Sequence, residues 1–324
     1  MPRRPSAVAV ALGLTATAGL GALAWGVLVE RTRWAIRQEI LPVLAPGARP
    51  ITLLHLTDLH MAPWQRGKQD FVRSLARLEP DLIIDTGDNL GHPGGNAGIE
   101  RAFERFRGIP GVFVHGSNDY VGPVLKNPLA YLARPAHDDT PARDGARRGE
   151  RLDTAGMERF FIEELGWLDL NNTARGIEVR GTRIELIGTG DAHHHRDRAD
   201  LLPGAIEQLR EEVEWSETSH ERVLTIGITH APYRRVLDAL ANLGADLLVA
   251  GHTHGGQVRI PGLPALVTNC DLPRSQAQGV SRWRAPGGTA WLEVSAGLGT
   301  SITAPVRFAC PPEAVVLTLV PAPA

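Results

Sequence analysis

The stretch Leu247-Leu248-Val249-Ala250-Gly251-His252-Thr253-His254-Gly255-Gly256 decides how the rest of the chain is read. Four consecutive apolar residues bounded by glycine read as a strand buried on both faces. Two imidazoles follow, one residue apart. In extended backbone, residues i and i+2 project to the same side, so His252 and His254 are expected to face one point beyond the strand's end. The flanking glycines permit a sharp turn and a close approach of the backbone.

Working outward, the same arrangement recurs upstream. Ile51–Thr57 is a strand run leading into Asp58-Leu59-His60, and Leu82-Ile83-Ile84 leads into Asp85-Thr86-Gly87-Asp88. Gly111–His115 leads into Gly116-Ser117-Asn118-Asp119, and Val223–Ile228 into Thr229-His230. Helical spacing of apolar residues lies between these strands, at Phe71–Leu78, about Gly98–Arg107, Leu201–Val213 and Arg234–Leu243. This alternation predicts an α/β sheet. Ile177–Val179 and Ile184–Ile187 predict a hairpin turning at Arg180-Gly181-Thr182, and the alternating tail predicts closing strands.

Five strand ends therefore deliver Asp58, His60, Asp88, Asn118, His230, His252 and His254. Ligand sites in α/β sheets form at the carboxyl ends of strands. A lone histidine or asparagine in such a place is ordinarily a satisfied loop residue, but five coincidences in one context point to a metal centre. Carboxylates and imidazoles without cysteine suit Mn, Fe, Zn or Co rather than Ca or Cu(I). Seven ligand groups suit two ions sharing a bridge. Such a pair clamps a phosphoester, with a hydroxide bridging the ions as the nucleophile. Asp88, Asn118 and His254 are the residues expected at the reacting atoms. His92, Asp119 and His194 are expected at the substrate.

These blocks, Asp58-x-His60, Gly87-Asp88, Gly116-Ser117-Asn118-Asp119, His230 and Gly251-His252-x-His254, resemble in order those of the calcineurin-like metallophosphoesterases. The tail Gly297-Leu298-Gly299-Thr300 … Pro305-Val306-Arg307-Phe308 is similar to that of the bacterial membrane-associated branch. The resemblance implies a four-layer αββα sandwich of two mixed β-sheets. It also implies that Asp58, His60 and His254 hold one ion, that Asp88 bridges, and that Asn118, His230 and His252 hold the second. The third block departs from the family pattern Gly-Asn-His-Asp/Glu. Ungapped alignment puts Ser117 at the ligand position, and a small backbone adjustment puts Asn118 there. An amide oxygen is the better ligand, so Asn118 is expected. Either way the histidine that assists the leaving group is missing.

The remaining features bound the setting. Of 324 residues, 43% are hydrophobic and 22% charged, with a formal net charge of −2, which gives no electrostatic case for a nucleic-acid partner. Cys270 and Cys310 form neither a disulfide framework nor a cysteine zinc cluster. Ala7–Val29 carries no charge and as a helix would reach about 35 Å, enough to span a bilayer. The expected organisation is an anchor at 1–30, a linker at 31–50 and a catalytic domain at 51–324. A single-pass location in the cell membrane follows. Export after cleavage near Ala22-Leu23-Ala24 is the alternative. Pro135–Arg151 reads as a polar surface loop. Two functional classes remain: hydrolysis of a phosphoester or pyrophosphate, on a membrane-associated or a soluble substrate, and a non-catalytic scaffold that binds phosphorylated ligands.

Overall fold

The computed structural model describes residues 7–123, 149–212 and 222–323, and of residues 7–15 the backbone only. Most of the expected loop Pro135–Arg151 lies outside the described residues. The helices are α1 (Ala7–Leu28), α2 (Arg66–Ser74), α3 (Asn96–Phe103), α4 (Thr154–Arg159), α5 (Leu202–Glu212) and α6 (Arg234–Asn242). The strands are β1 (Ala35–Leu44), β2 (Ile51–Leu56), β3 (Leu82–Asp85), β4 (Gly111–Phe113), β5 (Leu168–Asp169) and β6 (Thr173–Val179). They continue with β7 (Thr182–Gly188), β8 (Leu224–Thr229), β9 (Leu247–Ala250), β10 (Gly279–Ala285), β11 (Gly288–Val294) and β12 (Glu313–Pro321).

Two mixed sheets result, ordered β1-β12-β2-β3-β4-β5 and β10-β11-β9-β8-β7-β6. Their strands are apolar on both faces, and the two-residue period sorts the side chains. Ile51, Leu53, Leu82, Ile84 and Val112 meet Ile226, Leu247 and Val249 in a cluster between the sheets. Leu54, Leu56, Ile83 and Phe113 point the other way, against Val72, Ile99 and Phe103 of α2 and α3. Leu248 and Leu292 face Leu237 and Leu240 of α6. Helix, sheet, sheet, helix is thus the order in which apolar surface is removed from water. The expected hairpin is β6–β7, paired antiparallel with Val179 opposite Thr182. Arg180 and Gly181, both at positive φ, make its two-residue turn.

The expected linker at 31–50 needs correction. Its residues Ala35–Leu44 form β1, which runs parallel to β12 along the sheet edge. Proline density suggests a linker, but Pro42 is tolerated in an edge strand whose far side has no partner among the described residues, and a register shift follows it. The span expected at Ala7–Val29 is helical over Ala7–Leu28. Among the described residues, no helix is long and apolar enough to cross a membrane.

β1 also supplies one end of a buried polar pin between the sheets. Arg37 Nη2 donates to Glu293 Oε1 at 2.7 Å, and Glu293 Oε2 lies 2.5 Å from His55 Nδ1. His55 Nε2 in turn lies 2.8 Å from Thr86 Oγ1. Burial alone would raise the Glu293 pKa, but His55 and Arg37 outweigh it and hold the carboxyl below its ordinary range. Removing one partner of such a buried set strands the others. Glu293→Ala should therefore lower the unfolding free energy by about 3–5 kcal/mol, read from urea denaturation, whereas Glu293→Gln, which keeps an acceptor, should cost less.

Candidate metal centre

The strand ends turn abruptly. Asp58, His60, Asp88, His252 and His254 all have φ between 43° and 69°, the left-handed region that side chains other than glycine seldom adopt. Strain of this kind persists where surrounding bonds over-determine the backbone, and they do here. The amides of Asp58, His60 and Met61 donate to the carbonyls of Gly87, Asp88 and Asn89, zipping the loop after β2 to the loop after β3. Asp119 then braces the second loop. Its carboxylate accepts from the amides of Asp88, Asn89, Leu90 and Gly116. Gly116 and Gly251 are needed for close approach. A Cβ at Gly116 would stand 2.2 Å from Asp88 Oδ1, and one at Gly251 would stand 2.6 Å from Asp58 Oδ2.

These turns bring two groups of ligand-type side chains together: Asp58, His60 and His254, and Asp58, Asp88 and His230. His254 Nε2 is 3.3 Å from Asp58 Oδ1 and 3.1 Å from His60 Nε2. Asp88 Oδ2 lies between two imidazoles, 3.7 Å from His60 Nε2 and 3.5 Å from His230 Nε2. His230 Nδ1 faces the Thr86 carbonyl at 2.8 Å, so its Nε2 is left toward Asp88. Asp58 Oδ1 and His230 Nε2 are buried without a hydrogen-bond partner. Burial lowers the His60 pKa to about 4 and holds His252 and His254 well below the ordinary imidazole value. Neutral imidazoles, two carboxylates and two orphaned buried polar atoms are the donor set that a divalent transition metal satisfies.

The other expected residues divide. Asn118 reaches the site: its backbone amide donates to Asp88 Oδ1 at 2.7 Å and its Nδ2 lies 2.6 Å from Asp88 Oδ2. Turning the Asn118 amide over would present its oxygen at the same place. Ser117 points elsewhere, its hydroxyl donating to Asp191 at 2.8 Å. His252 stands outside both groups. Its ring is 5.2 Å from that of His230, and its Nε2 lies 3.2 Å from the Asn269 carbonyl, which leaves Nδ1 for a ligand.

The substrate expectations fare worse. Asp119 is fully buried and spends its carboxylate on four amides, so it shapes the loop rather than meeting a substrate. His194 is exposed, and its neighbour His193 is the residue that packs on His252, at 4.8 Å. His92 accepts from the Gly94 amide and packs edge-on against Trp64.

Sequence reasoning missed Arg307. Its buried guanidinium donates to the carbonyls of Ala296 and Gly299, both at 2.6 Å, and lies 3.3 Å from His254 Nδ1. The only available signal was an arginine within the apolar tail block. His55, on β2, is a core histidine held between Glu293 and Thr86.

The family model for calcineurin-like phosphoesterases matches residues 51–256, more than half of the chain. The chain belongs to that family. Among curated relatives, the uncharacterised metallophosphoesterase YkoQ of Bacillus subtilis (strain 168) is 26% identical over 220 residues, 67% of this chain and 65% of that protein. Uncharacterised metallophosphoesterase YkuE of the same organism is 22% identical over 298 residues, 90% of this chain and 86% of its own length. This calcineurin-like chain thus spans about two thirds of YkoQ and most of YkuE. Among solved structures, TT1561 of Thermus thermophilus matches 77% of this chain and 91% of its own at 13% identity and a TM-score of 0.41. At that score the likeness adds nothing to the assignment.

Two outcomes follow from this geometry. Burial alone would lower the His230 pKa, but Asp88 and Asp58 outweigh it and raise it to about 10. Below that pH the ring is protonated and must lose its proton to bind a metal. Manganese affinity should therefore rise with pH toward 10, with about one proton released per His230 ligated near pH 8. Titration calorimetry in buffers of different ionisation enthalpy reads this directly. Removing the brace in Asp119→Ala should weaken metal binding roughly 10–100-fold without changing the number of ions bound at saturation.

Proposed function

We propose that this protein is a metal-dependent hydrolase of phosphoric esters or pyrophosphates, working with two divalent transition metal ions. The observation that carries the reading is the pair of buried carboxylates, Asp58 and Asp88, set among imidazoles with Asp58 Oδ1 and His230 Nε2 left without a hydrogen-bond partner. By this reading Asp58, His60 and His254 hold one ion, and Asn118, His230 and His252 the other. Asp88, whose Oδ2 lies between His60 and His230, is shared. Ions so held would lower the pKa of a bound water toward neutral and would offset charge on the phosphoryl oxygens.

The chain's own groups then orient and shield. Asp58 and Asp88 set the spacing of the two halves, Thr86 fixes the tautomer of His230 through its carbonyl, and Asn118 holds Asp88 in place. The third block brings no imidazole beside Asn118. His115, three residues before it, is buried and bonded to Tyr120 through Nδ1 at 2.9 Å. A positioned acid is worth roughly 10²–10⁴-fold, and esters with poor leaving groups forgo that gain here.

We further propose that α1 attaches the domain to a membrane. It holds 22 uncharged residues, and Leu20, Leu23 and Leu28 are each more than half exposed, so the domain does not cover them. A helix apolar on all sides requires an apolar surround. Tethering would concentrate the site near lipid-linked substrates.

The reading is tested on the full chain purified in detergent without chelator. Bound metal should approach two ions per chain, and Asp88→Ala should abolish hydrolysis of bis(p-nitrophenyl) phosphate. The rate plotted against leaving-group pKa should fall steeply. A chain that binds two ions but turns over no activated monoester or diester would make the scaffold reading the correct one.

A further inference from the structure

The segment after the metal-binding turn is unusual for a surface loop. Ile260-Pro261-Gly262-Leu263-Pro264 carries no charge and is exposed throughout, with Ile260 at 51% and Leu263 at 55%. Scattered apolar residues on a surface are ordinary, whereas a contiguous apolar patch marks a contact. This patch begins six residues beyond His254. Its position is fixed by a short bridge in which the Arg259 amide donates to the Phe308 carbonyl at 2.9 Å, and the Phe308 amide to the Gln257 carbonyl at 3.0 Å.

The same bridge meets the end of α1. The Arg307 amide donates to the Gly26 carbonyl at 3.1 Å, and a side chain at Gly26 would collide with the Arg307 carbonyl at 2.7 Å. Behind this contact, the Glu30 carboxylate accepts from the Cys310 amide at 2.7 Å and from the Trp25 indole at 2.9 Å. The exposed loop and the last turn of α1 are therefore seated on one short segment, 306–308. An arginine accompanies each of the two parts. Arg33 stands over the Trp25 ring at 5.8 Å, and Arg259 opens the apolar run. Tryptophan and arginine at the end of an apolar helix are the residues that settle at a bilayer's headgroup level, and arginines there complement anionic lipid.

We propose that the loop Val258–Leu263 is a second membrane contact, which seats the mouth of the metal centre against an anionic bilayer. The inference rests on the reading of α1 as the anchor and adds a function to a different part of the chain. With α1 ending at the interface, Ile260 and Leu263 enter the headgroup boundary while Arg33 stays among the phosphates and Arg259 stays bonded to the Gly255 carbonyl. The substrate class this favours is a phosphoester or pyrophosphate whose apolar part remains in the lipid, because such a molecule reaches the site without leaving the bilayer.

The test uses the full chain reconstituted into vesicles of phosphatidylcholine with a minor share of phosphatidylglycerol. Leu263→Cys and, separately, Ile260→Cys carry an environment-sensitive fluorophore; Cys270 and Cys310 are buried and do not compete. Glu207→Cys, exposed on α5 at the other sheet edge, is the control. Lipid spin-labelled in the upper acyl chain should quench both loop labels and leave the control bright. Replacing phosphatidylglycerol by phosphatidylcholine should reduce the quenching. If the chain floats with the vesicles but neither loop label is quenched, the loop faces water or a protein partner and the proposal is overturned while the anchor stands. If the chain does not float at all, the anchor reading fails, and unquenched loop labels in that sample overturn this proposal with it.

Discussion

Two carboxylates buried within a few ångströms of each other cannot both be charged in a protein interior unless cations or donors compensate them. Asp58 and Asp88 are such a pair, and much of the structure follows from compensating them. His230 is drawn toward the protonated form by them. The His252 amide donates to Asp58, and the Asn118 amide to Asp88. What remains unsatisfied, one oxygen of Asp58 and one nitrogen of His230, marks where a metal ion would complete the set.

Holding that arrangement requires the backbone to bend the wrong way five times, and the bends are kept by parts of the chain far away in sequence. Asp119 reaches back to amides of the neighbouring loop and to that of Gly116. Arg307 collects carbonyls from the segment after β11 and touches the imidazole of His254. The inter-sheet pin of Arg37, Glu293 and His55 ends on Thr86, whose carbonyl faces His230. Residues that never touch a substrate are thus joined to the ligands by single hydrogen bonds. Substitutions in them are expected to act through metal affinity as much as through stability.

The amino-terminal helix fits the same pattern. Its last turn is docked by Glu30 and Gly26 onto the segment that carries Arg307. The end of the helix and the metal-binding turn therefore share a support. The strand that follows, β1, completes the sheet edge, so the junction between helix and domain is a structural element and not a tether.

Legibility in the sequence divided along a physical line. Apolar runs of three to six residues ending in Asp, His or Asn identify strands and strand ends, because burial on two faces demands continuous apolar character and a ligand site demands polar groups where the strand stops. The sheets, the Asp and His positions and the hairpin at Arg180-Gly181 were determined by local pattern. Three-dimensional placement decided the rest. Asn118 and Ser117 are adjacent, and only the turn shows that one faces Asp88 and the other Asp191. His193 and His194 are chemically identical, and packing on His252 chose between them. Pro42 read as a linker residue until the edge position of β1 made it harmless. Asp119 read as a polar site residue until its four amide donors accounted for it. In each case the deciding quantity was a distance between segments remote in sequence, which local composition does not encode.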